Sequence, residues 1–169
     1  MRVWDGRHAL AVLAVVQAGA QGLSQDQLAG AAEVIGRNAV SERGEKLEVI
    51  RQLGESGEVS GLGAALLMDR AGFRVEADPE VREAALLALR TVIEPRSRMS
   101  ALRVVRCADP GQEPEPRVRI AALRVLASLP VAEAAARVLD STRQDREPDA
   151  SVREAASALV RKGLAAGAY

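Results

Sequence analysis

His8 and Cys107 are the only histidine and the only cysteine in the 169 residues, and they stand about a hundred positions apart. A zinc site draws three or four ligands from His, Cys and carboxylates, and a cysteine nucleophile needs a histidine base beside it; neither set can be assembled from this pair. Carboxylates are plentiful, but they fall at helix starts and on polar faces, and no spacing singles out an acid-base pair. Gly61 and Gly63 form no G-x-G-x-x-G behind a strand, and no Walker-type lysine follows a glycine loop. No catalytic residue, metal ligand or cofactor is therefore assigned. What remains is the chemistry of arginine, whose planar fork binds carboxylate or phosphate through two parallel hydrogen bonds.

Arginine is unevenly distributed. The net charge is zero, with 23 basic and 23 acidic residues, yet eight arginines stand against four acids between Arg90 and Arg124. Arg96, Arg98, Arg103 and Arg106 lie in that band, and with Arg137 they are the candidate binding residues. Met99 interrupts the basic series and Leu102 is expected to face a core, so the stripe is narrow. Two uses compete: the arginines pair with acids of adjacent elements, or they face a ligand. An acidic protein segment suits them; a nucleic acid also would, although a neutral chain has no overall field to recruit one.

The elements that must hold these side chains repeat. D-P-E-V-R-E-A-A-L-L-A-L begins at Asp78, E-P-R-V-R-I-A-A-L-R-V-L at Glu115 and D-A-S-V-R-E-A-A-S-A-L-V at Asp149. Val81, Val118 and Val152 lie 37 and 34 residues apart, the length of a two-helix hairpin. Lys46, Val49, Ile50 and Leu53 repeat the offsets of Arg82, Ala85, Leu86 and Leu89 from 36 residues upstream, which marks a degenerate earlier copy. The architecture this predicts is all-α: an α-solenoid of about four helical hairpins, in which each unit buries its apolar face against the next. Hydrophobic residues make up 48% of the chain and aromatics 2%, so the core is built from Ala, Leu and Val, and the small residues let helices approach closely. The alanine pairs Ala84-Ala85, Ala121-Ala122 and Ala155-Ala156 are read as inner-face core.

About nine helices follow from capping and periodicity. The first spans about 5–18, and Ser24 with Gln27 opens a second to about Asn38. Ser41 to Leu53 is a third, closed by Gly54 and Gly57, with a partner over 58–71. Asp78 caps, and Pro79 starts, a helix to about Ile93; Ser97 caps the next, to about Cys107. Pro116 starts a helix to Leu129, Pro130 its partner to about Thr142, and Asp149 caps the last, ending at Gly163. Residues 1–40 form a divergent hairpin continuous with 41–169, one domain. The proline-rich run from Asp109 to Pro116 is read as a rigid turn between units, because the motif resumes at Val118.

The D/E-x-x-V-R-x-A-A-x-x-x-L pattern resembles the HEAT repeat family, particularly the short bacterial type of the phycobilisome lyase relatives, over about Ser41 to Lys162. Val160 holds the final leucine place in the third copy. The resemblance implies a right-handed superhelix with second helices on its concave face. It also implies that the second motif position, here Arg82, Arg119 and Arg153, bonds to acidic groups or carbonyls of a neighbouring unit. Asp78, Glu115 and Asp149 sit where they could serve. Function expected from the resemblance is a noncatalytic protein-interaction module or scaffold. Its enzymatic branches grip bilins or damaged bases with aromatic side chains, and only Trp4, Phe73 and Tyr169 are present here, which leaves a bilin-lyase-like subunit as the remote alternative.

The final motif-bearing helix has no evident partner after Lys162, so its outer face either self-associates, docks a partner or is covered by the tail from Leu164 to Tyr169. Ala9 to Val16, flanked by Arg2, Arg7 and Ala18-Gly19-Ala20, imitates a secretory signal, but Asp5 and the short apolar run favour a buried helix. That run falls well below the ~20 residues of a membrane span. The lone cysteine fits a reducing compartment, and the expected location is cytoplasmic.

Overall fold

The computed structural model describes residues 24–36, 43–55 and 61–165. They form eight α-helices and no strand: α1 (Gln25–Gly36), α2 (Arg43–Glu55), α3 (Gly61–Arg70), α4 (Pro79–Val92), α5 (Arg98–Cys107), α6 (Pro116–Leu126), α7 (Ala132–Asp140) and α8 (Ala150–Ala165). The helix expected over 5–18 lies outside the described residues. No helix among those described is long and apolar enough to cross a membrane.

Local chemistry explains the boundaries. Asp78 adopts an extended conformation and accepts the Glu80 N–H at 2.9 Å, while Pro79 occupies the first helical position, where no N–H partner is needed. Ile93 returns to the extended region and ends the helix, its N–H still donating to the Leu89 carbonyl, two residues ahead of Pro95. The Ser97 hydroxyl accepts the Ser100 N–H at 3.2 Å and starts α5. Pro130 does not begin α7: Val131 is the extended cap and the helix starts at Ala132. Nor does Gly54 end α2, which runs on to Glu55. A Cβ at Gly54 would lie 2.9 Å from the Ala88 Cβ, so the missing side chain is what lets α2 approach α4.

Along α4, Val81, Ala85, Leu86 and Leu89 are fully buried, a stripe at helical spacing. In α6 Val118, Ala122, Val125 and Leu126 do the same, and in α2 Val49, Ile50 and Leu53. The second alanine of each pair, Ala85, Ala122 and Ala156, is always buried; of the first alanines only Ala121 is, with Ala84 and Ala155 half-buried. The principal contacts join helices one or two places apart in the chain. α2 packs on α4, α4 on α6 and α6 on α8, while α1 meets α3, α3 meets α5 and α5 meets α7. Contacts of α3 with α4, α5 with α6 and α7 with α8 tie the two series together.

Candidate interaction surface

The turns entering α4, α6 and α8 are copies of one another. Each ends in a glutamate whose N–H donates to the carbonyl four residues back: Glu76 to Gly72 at 3.0 Å, Glu113 to Asp109 at 2.8 Å and Glu147 to Arg143 at 2.9 Å. Each carboxylate then accepts the N–H two residues on, from Asp78, Glu115 and Asp149, at 2.9, 2.9 and 3.0 Å. All three glutamates are buried. A buried carboxylate needs a cation, and in every case the preceding unit supplies it.

Arg82 of α4 donates from Nε and Nη2 to the two oxygens of Glu113, both at 2.8 Å. Arg119 of α6 makes the same fork with Glu147, at 3.1 and 2.9 Å. Lys46 of α2, standing where the motif has arginine, reaches Glu76 with Nζ at 2.9 Å. Both forks are aimed by their remaining nitrogen. Nη1 of Arg82 donates to the Glu76 and Ala77 carbonyls, and Nη1 of Arg119 to those of Glu113 and Pro114, so each arginine clasps its own turn while gripping the next. Arg82 also lies 5.1 Å from the ring centre of Phe73. The partners in this ladder are therefore glutamates two residues before the caps, not Asp78, Glu115 and Asp149. Asp78 and Asp149 cap their helices through Glu80, Ser151 and Val152 N–H groups, and Glu115 makes no side-chain cap bond.

The five arginines singled out in the sequence separate into three situations. Arg98 pairs with Glu133, linking α5 to α7. Arg137 donates from Nη2 to the Ala108 carbonyl at the end of α5, and its Nε is buried without a partner, so this side chain is spent on packing. Arg96 is exposed in the turn between α4 and α5. Arg103 and Arg106 are brought together: both are exposed, and with Arg74 they line a cleft of about 210 Å³ against Phe73 and Cys107. Among the described residues none of these three guanidinium groups pairs with a carboxylate. Of the acids on the same cleft, Asp69 is held by Arg70 at 3.0 Å and Glu113 by Arg82. The cleft is smaller than the ~300 Å³ at which small-molecule sites begin, and its size and charge suit a single carboxylate or phosphate group.

The surroundings of Cys107 disfavour its thiolate. Burial, with the Glu113 charge second, pushes its thiol up to about 11, and the sulfur contacts the Ala71 carbonyl at 3.5 Å. His8 lies outside the described residues, among which no cluster of three or more His, Cys, Asp or Glu is placed to hold a metal.

Arg74 and the ladder glutamates were missed in the sequence. Arg74 lies outside the basic band and joins it only through the turn into α4. The glutamates carry a readable signal, E-x-[DE]-x-x-V-R, in which Glu76, Glu113 and Glu147 each stand six residues before the motif arginine. The chain matches no family model, no curated protein and no solved structure.

Proposed function

We propose that the protein is a noncatalytic protein-interaction module, an α-solenoid of HEAT-like hairpins that binds an acidic segment of another protein through Arg74, Arg103 and Arg106. The observation that carries this reading is the contrast between two sets of arginines. Arg82 and Arg119 of the repeat are consumed by buried glutamates, whereas three arginines outside it share a cleft with no carboxylate to neutralise them. In a HEAT-like array α3, α5 and α7 are the second helices, which puts Arg103 and Arg106 on the concave face. The ladder supplies the rigidity such a surface needs, since a preorganised site spends less of its binding energy on ordering itself.

A labelled Glu/Asp-rich peptide and a single-stranded oligonucleotide of equal charge, titrated against the protein and an Arg103→Glu, Arg106→Glu variant, test the reading. The peptide is expected to bind saturably and to lose at least about tenfold in affinity in the variant. Preference for the oligonucleotide, with the steep salt dependence of counterion release, would transfer the assignment to nucleic acid. Exposed Arg90, Arg96 and Arg124 would extend that alternative surface, but Arg98, Arg117 and Arg119 of the same band are paired to Glu133, Glu83 and Glu147.

A further inference from the structure

Arg153 repeats the posture of Arg82 and Arg119 without their partner. Its Nη1 donates to the carbonyls of Glu147 and Pro148 at 2.9 and 2.7 Å, the same clasp on its own turn. That clasp leaves Nε and Nη2 at the edge that in the two earlier copies faces a glutamate. Among the described residues these atoms have no hydrogen-bond partner. The face around them is open in the same register. Arg82 and Arg119 are 1% and 3% exposed, whereas Arg153 is half-buried; Leu89 and Leu126 are buried, whereas their equivalent Val160 is half-buried. Leu164, on the same helix, is 60% exposed.

We infer that the outer face of α8 is a second docking site, built to take a glutamate presented by a turn of the Glu-x-Asp/Glu kind with an apolar helix behind it. The occupant is a partner helical unit whose entering turn presents an unengaged glutamate two residues before its cap. Among the described residues, the turn glutamates of a second copy, Glu76, Glu113 and Glu147, are not available to it, because they already neutralise Lys46, Arg82 and Arg119. A free anion lacks the apolar helix that would cover Val160. The interior rungs show what the filled site looks like: a side-on fork from Nε and Nη2 to both carboxylate oxygens, with arginine and glutamate both buried. This site is separate from the cleft of Arg74, Arg103 and Arg106, and neither depends on the other.

The probe is a peptide of the chain's own residues 109–129, stapled between positions 117 and 124 on its exposed face so that it enters as a helix. It is titrated against the full chain labelled with 15N in its arginine side chains. Free protein is expected to show slow hydrogen exchange at the Nε–H of Arg82 and Arg119 and fast exchange at Arg153. Saturating peptide should slow Arg153 toward the other two. A Glu113→Gln peptide, or an Arg153→Gln protein, should bind at least about tenfold more weakly, as loss of a charge-assisted bidentate pair requires. An Arg103→Glu, Arg106→Glu protein should bind the peptide as well as the wild type, which separates this site from the proposed cleft. Slow exchange at Arg153 before any peptide is added would mean that the chain covers its own fork, by the segment after residue 165 or another, and would overturn the inference. Absence of saturable binding, or binding indifferent to both Glu113→Gln and Arg153→Gln, overturns it equally.

Discussion

Glu113 has two tasks at once: it neutralises Arg82 from the preceding unit and accepts the N–H of Glu115 in its own. Converting it to glutamine leaves the arginine charge buried and uncompensated, and removal of one member of such a pair costs about 3–5 kcal/mol. Glu83→Gln, by contrast, removes only a half-buried partner of the exposed Arg117 at 3.6 Å and should cost less than about 1 kcal/mol. The urea concentration at which helical signal is first lost distinguishes them, and equal shifts would contradict the ladder. Cys107 gives the second test at this scale. Its thiol, raised to about 11, keeps its proton in the folded state where the unfolded chain, at about 8.5, has lost it. The resulting stabilisation is fully present below the unfolded value and disappears as pH rises through the folded one. Cys107→Ala should therefore lose less stability than the wild type between pH 8 and 11, and alkylation of the native thiol should remain slow at pH 8 and accelerate toward 11. The repeated Val-Arg was legible in the sequence because valine and arginine recur beside apolar stripes. Its glutamate recurs as regularly, but the pairing is not legible, since it reaches back to an arginine 28 or 31 residues earlier and the more conspicuous acid at each turn is the helix cap. Hydropathy assigns every glutamate to the surface, and only packing reveals that three are inside.

Helices are placed by a balance between local propensity and the approach of a neighbour, and α2 contains both outcomes. At Gly44 a Cβ would meet nothing within 4 Å, so Gly44→Ala should stabilise the protein by up to about 1 kcal/mol through helix propensity alone. At Gly54 the same gain meets a Cβ 2.9 Å from the Ala88 side chain and 3.0 Å from its Cα. Backbone cannot yield as a flexible side chain would, and overpacking costs about 1–3 kcal/mol, so Gly54→Ala should be net destabilising. It should also weaken the bond from the Thr91 hydroxyl to the Gly54 carbonyl, 2.7 Å long. Opposite signs in the thermal midpoints of the two variants are the expected result; a stabilised Gly54→Ala protein would show that α2 and α4 are less closely held. Glycine in a sequence carries both meanings, stop and close approach. Reading Gly54 as a stop was reasonable because Gly57 follows it, and only the helix across the contact decides between them. Where the terminus is set by side-chain capping and proline, as at Asp78-Pro79 and Ser97, sequence and structure coincide, because that signal is local.

At the scale of the molecule, what matters is that the principal contacts join only helices one or two places apart. Stability in such a chain is a sum of unit terms and junction terms, and cooperativity is only as strong as the weakest junction. The rung between Arg82 and Glu113 lies at the junction of α4 with α6, with Lys46–Glu76 before it and Arg119–Glu147 after. A break there should uncouple the two sides rather than weaken all helices alike. Amides of α4 and α6 are expected to exchange through one common opening in the wild type. In Glu113→Gln the block from α6 to α8 should acquire an opening of its own, with faster exchange than α2 to α4, while Arg119→Met should confine the change to α8. Native-state hydrogen exchange followed helix by helix reads this directly. A single rate that rises uniformly in both variants would mean that the helices share one indivisible core, and it would remove the support that neighbour-only contacts lend to the solenoid reading.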